Sequence, residues 1–291
     1  MVDDESVLAG SKSAWMDVTR QVAVLDGTLI RMDARSLYVS ERGYLHGEGL
    51  FETIRIDEGA LPALDRHLAR LAASCRVLGL PAPPQRRLVE EDFAQLRRLV
   101  GSDGLVRLTW TAGPAHGAGP DDRAELPTRL LTWRRASSAE PIALWPVAFR
   151  PGEHAAHKTI ARWPYQRARV AARTAGCDDA LLVDHDGCVL ETTGANVVAR
   201  WGDAWATPIA DGRILPGIGR AAALAEEPRI AERAISLADL MCADDVWLVG
   251  STYRCPRPVA RIGERAFVPR PWPTPVDEQQ ARLNPFSPRT S

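Results

Sequence analysis

Apolar positions along the chain recur with period two in short runs and with a helical period in longer ones. Val22–Leu25 and a second apolar run at 29–31 flank Asp26-Gly27, a dipeptide suited to a tight hairpin turn, so the first predicted element is a β-hairpin. A strand is predicted at 50–57. Over 61–80, Leu64, Leu68, Leu71, Cys75 and Leu78 fall at i, i+4, i+7, i+11 and i+14, one face of an amphipathic helix. Gly79 ends that helix, and Pro81, Pro83 and Pro84 stiffen the link to the next. Val89, Phe93, Leu96 and Val100 mark a second helix over 85–100. Strands at 105–111 and 129–133 follow. Between them, residues 112–127 are too rich in Gly and Pro for regular structure and read as a long loop, either a lid or a solvated excursion.

The second half opens with a strand at 142–149, where Pro146 predicts a sheet edge. A helix over 164–174 comes next, then a hairpin of 180–183 and 188–191 around Asp184–Gly187, whose D-x-D-G lacks the later ligands of a calcium loop. Strands at 196–200 and 205–207, a helix over 218–225 and a strand at 246–249 complete the pattern. Hairpins and helices mix without regular βαβ alternation, which predicts an α+β chain of two domains. The boundaries expected are a flexible N-terminal tail at 1–20, a first domain at 21–134, a polar linker at 135–140, a larger second domain at 141–270 and an irregular C-terminal tail at 271–291.

Composition narrows the chemistry. The net charge of -1 gives no footprint for nucleic acid or a membrane surface, and no apolar run approaches the ~20 residues that span a bilayer. The polar, acidic N-terminus lacks the basic and apolar regions of a secretory signal, which predicts a cytoplasmic protein. Five scattered cysteines without a C-x-x-C pair predict neither disulfides nor a metal site. Lys and Arg total 36, yet lysine occurs only at Lys12 and Lys158. Lysine differs from arginine in that it sheds its proton readily and attacks carbonyls. Lys158, inside an apolar neighbourhood, is therefore either a chance surface cation or the centre of amine chemistry.

Four features then group as one cofactor site. Lys158 offers an amine for an aldehyde cofactor. Glu191, at a strand end before Thr-Thr-Gly-Ala-Asn, offers a carboxylate that can keep a pyridine nitrogen protonated. Leu-Pro-Gly-Ile-Gly at 215–219 opens a helix, and Gly250-Ser251-Thr252 ends a strand; both present N–H groups suited to phosphate. Arg55 supplies a guanidinium fork. Each has an ordinary structural reading when taken alone.

Their spacing resembles class IV (fold type IV) pyridoxal 5′-phosphate (PLP) enzymes, the group of branched-chain aminotransferases, D-amino acid aminotransferases and 4-amino-4-deoxychorismate lyases. The resemblance runs through Ser-Glu-Arg-Gly-Tyr-Leu-His-Gly-Glu-Gly-Leu-Phe-Glu-Thr-Ile-Arg at 40–55 and Asp-Arg-His-Leu-Ala-Arg-Leu at 65–71. It resumes at His-Lys-Thr at 157–159, at 175–184, at 191–196 and at Ile-Leu-Pro-Gly-Ile-Gly-Arg at 214–220, covering about residues 22 to 260. It implies a two-domain fold, a small α/β domain and a larger pseudo-barrel domain with PLP between them. It also implies a homodimer acting on a small-molecule amino donor and a keto-acid acceptor. Lys158 becomes the Schiff-base lysine and Glu191 the partner of the pyridine nitrogen. Arg55, the amides of Ile218 and Gly219, and Ser251 hold phosphate; Leu215 packs on a cofactor face. Trp163 stands where the aminotransferases often carry a Tyr near the cofactor oxygen. Phe51, Arg107, Thr252 and Tyr253 are the substrate candidates, although Arg107 taken by itself reads more readily as a structural strand residue.

Three departures stand out. The familiar Ile-Thr of the phosphate cradle is Ile218-Gly219, so one hydroxyl contact is lost. His46 replaces the usual aromatic of the opening motif. Ser-Thr-Tyr-Arg-Cys-Pro-Arg-Pro at 251–258 is more basic than usual, with Tyr253, Arg254 and Arg257 either shaping a pocket or facing solvent. The expected activity is that of an aminotransferase. The alternative is a lyase giving 4-aminobenzoate and pyruvate, against which Thr111-Ala112-Gly113 lacks the Arg-Gly common in that branch. A third reading is a non-catalytic binding module, against which Lys158 and Glu191 are retained.

Overall fold

The computed structural model describes residues 22–273 apart from 116, 118, 120–121, 123–125 and 137–139. The expected tails at 1–20 and beyond 273 lie outside the described residues, as do parts of the 112–127 loop and the 135–140 linker. The chain divides into two units, Met1–Ala136 with Lys158–Ala161, and Ser137–His157 with Arg162–Ser291. The four residues beginning at Lys158, expected within the larger domain, thus belong to the first unit, and backbone pairing described below is the reason.

In the first unit, β1 (Val22–Leu25) and β2 (Thr28–Arg31) form the expected hairpin. Its turn carries positive φ at both Asp26 (49°) and Gly27 (88°), as a twist-matched two-residue turn requires. α1 (Arg42–His46) was not legible as a helix; Glu41 caps it by accepting from the Gly43 amide at 3.1 Å. Then come β3 (Gly49–Ile56), α2 (Leu64–Leu78), α3 (Arg86–Arg97), β4 (Gly104–Thr111) and β5 (Arg129–Arg134). The strands make one antiparallel sheet in the order β2-β1-β5-β4-β3. Alternate strand residues, Leu50, Ile54 and Ile56 with Val106, Leu108 and Trp110, are buried against Leu64, Leu71, Val89, Phe93 and Leu96 of the helices. Period two then turns Phe51, Thr53 and Arg55 to the opposite face of β3.

The second unit is built on a nine-stranded sheet. Its elements are β6 (Ile142–Ala148), α4 (Trp163–Thr174), β7 (Asp179–Val183), β8 (Val189–Thr192), β9 (Asn196–Trp201), β10 (Ala204–Thr207) and α5 (Ile218–Glu226). β11 (Ile230–Glu232), α6 (Leu237–Met241), β12 (Asp245–Val249), β13 (Arg257–Ile262) and β14 (Arg265–Ala266) follow. The order is β11-β10-β9-β12-β13-β6-β7-β8, with β14 beside β13. The sheet curls into a half-barrel, so Leu144, Leu181, Val197, Leu248 and Val259 meet in one core. On the other face Ala180 and Leu182 pack under α4, and Val198, Trp247 and Val249 under α5.

β6 is an interior strand, contrary to the edge position predicted from Pro146. Pairing with β13 stops at Leu144, and Pro146 pairs only with Leu181 of β7. The missing proline N–H therefore falls where no ladder bond is required. The stretch after 256, for which no element was predicted, forms β13 and β14, and Trp272, at the start of the expected irregular tail, packs on the Trp205 and Trp247 rings at 5.6 and 5.3 Å.

Candidate active site

Lys158 sits on a short extended segment beside β3. The Phe51 amide donates to the Lys158 carbonyl at 2.8 Å, and the Ile160 amide donates to the Gly49 carbonyl at 3.0 Å. This pairing fixes the backbone on both sides of the lysine and explains why residues 158–161 join the first unit. The Lys158 Nζ lies 4.6 Å from the Phe51 ring centroid, and the Arg107 guanidinium carbon lies 3.6 Å from the same centroid. Arg107 reaches that place from β4, where it pairs with Thr53, and its Nε donates to Thr109 Oγ1 at 3.3 Å. Phe51, Arg107 and Lys158 are thus brought together. Arg55, on the same face of β3, bonds Asp103 Oδ1 at 2.8 Å.

Beneath Phe51, Glu52 points into the core. It accepts from His67 Nδ1 at 2.6 Å, Arg70 Nε at 2.8 Å and Arg70 Nη2 at 2.5 Å. Although burial alone favours the protonated acid, these donors hold its carboxyl at about 2. Burial pushes His67 down, so it donates Nδ1–H as a neutral ring. Sequence reasoning missed this network. Its signal was an acid at an inward strand position, Glu52, and a His and Arg three apart on the facing helix.

In the second unit Glu191 is 7% exposed at the end of β8. Its Oε2 accepts from Asn196 Nδ2 at 3.1 Å and from the Leu215 amide at 3.3 Å. Asn196 Nδ2 also donates to the Leu215 carbonyl at 3.0 Å, tying the glutamate to the start of the 215–219 segment. That segment leads into α5 with Gly217 as its cap and Ile218 and Gly219 as its first two residues. A β-carbon on Gly219 would lie 2.5 Å from the Gly250 carbonyl carbon, so the α5 start and the end of β12 touch backbone to backbone. Gly250 opens the turn that carries Ser251, Thr252 and Tyr253, closed by the Tyr253 amide donating to the Gly250 carbonyl at 3.1 Å. Burial raises the Tyr253 phenol; Arg254 is exposed.

Trp163, expected near the cofactor oxygen, is 73% exposed. The buried face of α4 is set by Ala168 and Ala172. Tyr165 stands three residues before Ala168, near that face, whereas Trp163 stands about 140° away from it. Tyr165 and Arg162 lie within electrostatic reach of Glu191, and burial raises the first and lowers the second. Arg162 stacks 3.6 Å over the Tyr165 ring and donates to the Thr193 carbonyl at 2.6 Å. Thr193 in turn accepts from Arg169 Nη2 at 2.5 Å and donates to Asp179 at 2.6 Å. Sequence reasoning missed Arg162, Tyr165 and the tether at Asn196.

These residues fit pyridoxal phosphate. The Glu191 carboxylate is buried and held by the Asn196 and Leu215 donors, as a partner for a ring nitrogen would be, and the start of α5 and the end of β12 are held at glycine-close approach, as a phosphate cradle needs. Lys158 supplies an amine, and no group of three or more metal-ligating side chains occurs among the described residues.

A model of the family described as amino-transferase class IV matches residues 49–262. The chain is 28% identical over 284 residues to a bifunctional aminodeoxychorismate lyase / D-amino acid transaminase of Mycobacterium tuberculosis, covering 90% of this chain and 96% of that one. Among solved structures, a fold IV transaminase of Curtobacterium pusillum aligns with a TM-score of 0.73 at 26% identity, covering 91% of this chain and 96% of the other. A 4-amino-4-deoxychorismate lyase of Pseudomonas aeruginosa aligns with a TM-score of 0.70 at 29% identity, over 90% and 96%.

Proposed function

The chain belongs to the class IV aminotransferase family, whose members depend on pyridoxal phosphate, and we propose that it moves an amino group between an amino acid or amine and a 2-keto acid. The observation that carries this reading is the setting of Lys158. One of two lysines in the chain, it is pinned by backbone pairing to β3 with its amine over the Phe51 ring. Bound pyridoxal phosphate supplies an electron sink that makes the substrate Cα–H acidic. Lys158 Nζ binds the cofactor and, once released, takes the substrate Cα proton as general base. Glu191 holds a proton on the ring nitrogen, and the Asn196 and Leu215 donors to Oε2 orient it for that task. The amides of Ile218 and Gly219 with Ser251, and Arg55, bind the phosphate; Leu215 packs on the ring. Phe51 forms an apolar wall beside the amine, and Arg107 over it attracts a substrate carboxylate. Thr252 and Tyr253 border the substrate.

The enzyme acts as a homodimer. Exposed Leu37, Tyr38, Val39, Tyr44 and Leu45, clustered in one stretch of the first unit, support a protein-covered surface there. A cytoplasmic setting is supported by five scattered cysteines that form no disulfide.

Borohydride reduction of the PLP-loaded protein tests the reading. The wild type is expected to carry the label on Lys158, and Lys158→Ala none; label on Lys158→Ala, or an unlabelled wild type, refutes it. Incubation with amino acids and a keto acid should then yield the exchanged pair. A second reading, release of 4-aminobenzoate and pyruvate from aminodeoxychorismate, is favoured by the similarity to a bifunctional relative. Pyruvate formed from that substrate without a keto-acid acceptor would establish it.

A further inference from the structure

Besides the Leu215 bonds, two glycines of the 215–219 segment meet the rest of its unit too closely for a β-carbon, and each of these contacts belongs to a different end of the proposed cofactor site. At the first, a β-carbon on Gly217 would sit 2.0 Å from Asn196 Oδ1. The same Asn196 side chain donates to Glu191 Oε2 at 3.1 Å and to the Leu215 carbonyl at 3.0 Å. The first glycine is therefore required by the residue that orients the ring-nitrogen carboxylate. At the second, a β-carbon on Gly219 would sit 2.5 Å from the Gly250 carbonyl carbon and 2.6 Å from its Cα and N. Real β-carbons do not approach within 3.0 Å, so no side chain fits there without displacing the start of α5 from the end of β12. The contact is one-sided. A β-carbon on Gly250 would meet the Ala195 β-carbon and the Tyr253 ring at an ordinary 3.6 Å.

We infer that 215–219 is a spacer with two glycine joints that fixes the separation of the nitrogen partner Glu191 from the phosphate amides at Ile218, Gly219 and Ser251. Position 219 is glycine because the cradle is closed by backbone contact, so the threonine familiar in this place cannot be restored. This rests on the proposed cofactor reading. The hydroxyl missing from the cradle is thereby exchanged for amides brought closer together. A β-carbon at 219 pushes the helix start away by about 1 Å before ordinary contact returns. That carries an amide out of the 2.7–3.2 Å range of a hydrogen bond, and losing one bond to a charged group is roughly ten- to a hundredfold in affinity.

The test compares binding of pyridoxal phosphate with pyridoxal, which lacks the phosphate, to the full-length apoprotein by absorbance titration. Gly219→Ala and Gly219→Thr are expected to weaken the phosphate-bearing ligand by roughly ten- to a hundredfold and pyridoxal by less than about twofold. Gly250→Ala is expected to cost far less than Gly219→Ala. Gly217→Ala, acting through Asn196, should weaken both ligands together. Wild-type affinity for pyridoxal phosphate in Gly219→Thr overturns the inference, as does a parallel loss of pyridoxal binding in Gly219→Ala. Should neither 219 variant fold, inorganic phosphate decides on the wild type. It must compete with pyridoxal phosphate and not with pyridoxal, and failure to do so overturns the cradle. A wild type that binds neither ligand refutes the cofactor reading itself, whereas binding with unaffected 219 variants refutes the spacer alone.

Discussion

Replacing Glu52 by Gln removes one charge from the best-buried ion network of the first unit and keeps the side chain's shape. Glu52 is 1% exposed and Arg70 12%, so the guanidinium is left with a neutral amide where it had a carboxylate at 2.5 Å. Breaking a buried pair by removing one partner costs about 3–5 kcal/mol. An independent estimate comes from the carboxyl itself, held at about 2 against an ordinary 4.5. A depressed acid stabilises the fold fully above its unfolded value and loses that contribution as pH falls through its folded value. The difference corresponds to about 3 kcal/mol, present above about pH 4.5 and lost on the way to about pH 2. The two figures agree. For a chain of this size the variant should melt roughly 10 °C lower at pH 7. Calorimetry of wild type and Glu52→Gln from pH 2 to pH 7 should show the gap closing towards the acid end. His67 adds a second acid-sensitive window in both proteins. Pushed below its ordinary 6.5 by burial, it favours folding above that value and penalises it as the unfolded ring protonates. Melting of the variant within about 2 °C of wild type at pH 7, or a gap that persists unchanged at pH 2, would refute the argument.

Two further outcomes follow from contacts in the second unit. Asn196→Ala deletes the donor to Glu191 Oε2 and to the Leu215 carbonyl; a cost of about 1–3 kcal/mol is expected, with weaker pyridoxal phosphate binding, checked by denaturation and titration. Trp272→Ala removes the edge-on ring against Trp205 and Trp247, which stack at 5.1 Å; a loss of about 1–3 kcal/mol and a red-shifted tryptophan emission are expected.

Most of the fold was legible because the elements obey simple periods. The α2 stripe of Leu64, Leu71 and Cys75 is buried as the helical spacing required, and Asp26-Gly27 turns the first hairpin as its dihedral preference dictates. What could not be read depended on partners distant in sequence. Pro146 predicts an edge only if every strand is paired along its whole length, and β13 stops pairing at Leu144. The 256–262 stretch has prolines and arginines that mask a strand, and α6 is held by a Ser236–Asp239 capping box too short to show a period. For the candidate site, motif spacing marked Lys158, Glu191 and the two glycine-bearing ends. It could not say that Phe51 lies under both Arg107 and Lys158, because that depends on the register of β3 against β4.

The exposure of Trp163 and the placement of Arg162 and Tyr165 near Glu191 have the same origin. Counting from Lys158 along the sequence selects position 163, but α4 begins there, and from that point the helix decides which side chains face the sheet. Arg162, Tyr165 and Arg169 fall at i, i+3 and i+7, one stripe that faces the turn after Glu191. Both arginines bond to Thr193. The neighbourhood of Glu191 therefore contains a guanidinium stacked on a phenol in place of a single indole N–H. Burial lowers Arg162 and the Glu191 charge raises it, with burial the larger effect, so this cation is poorly hydrated and its field is weakly screened. A positive charge of that kind, fixed to the Thr193 carbonyl two residues beyond the carboxylate, would oppose protonation of a ring nitrogen held by Glu191 as proposed. On the proposed cofactor reading, the electron-withdrawing power of the ring would then depend on Arg162 and Glu191 acting in opposition.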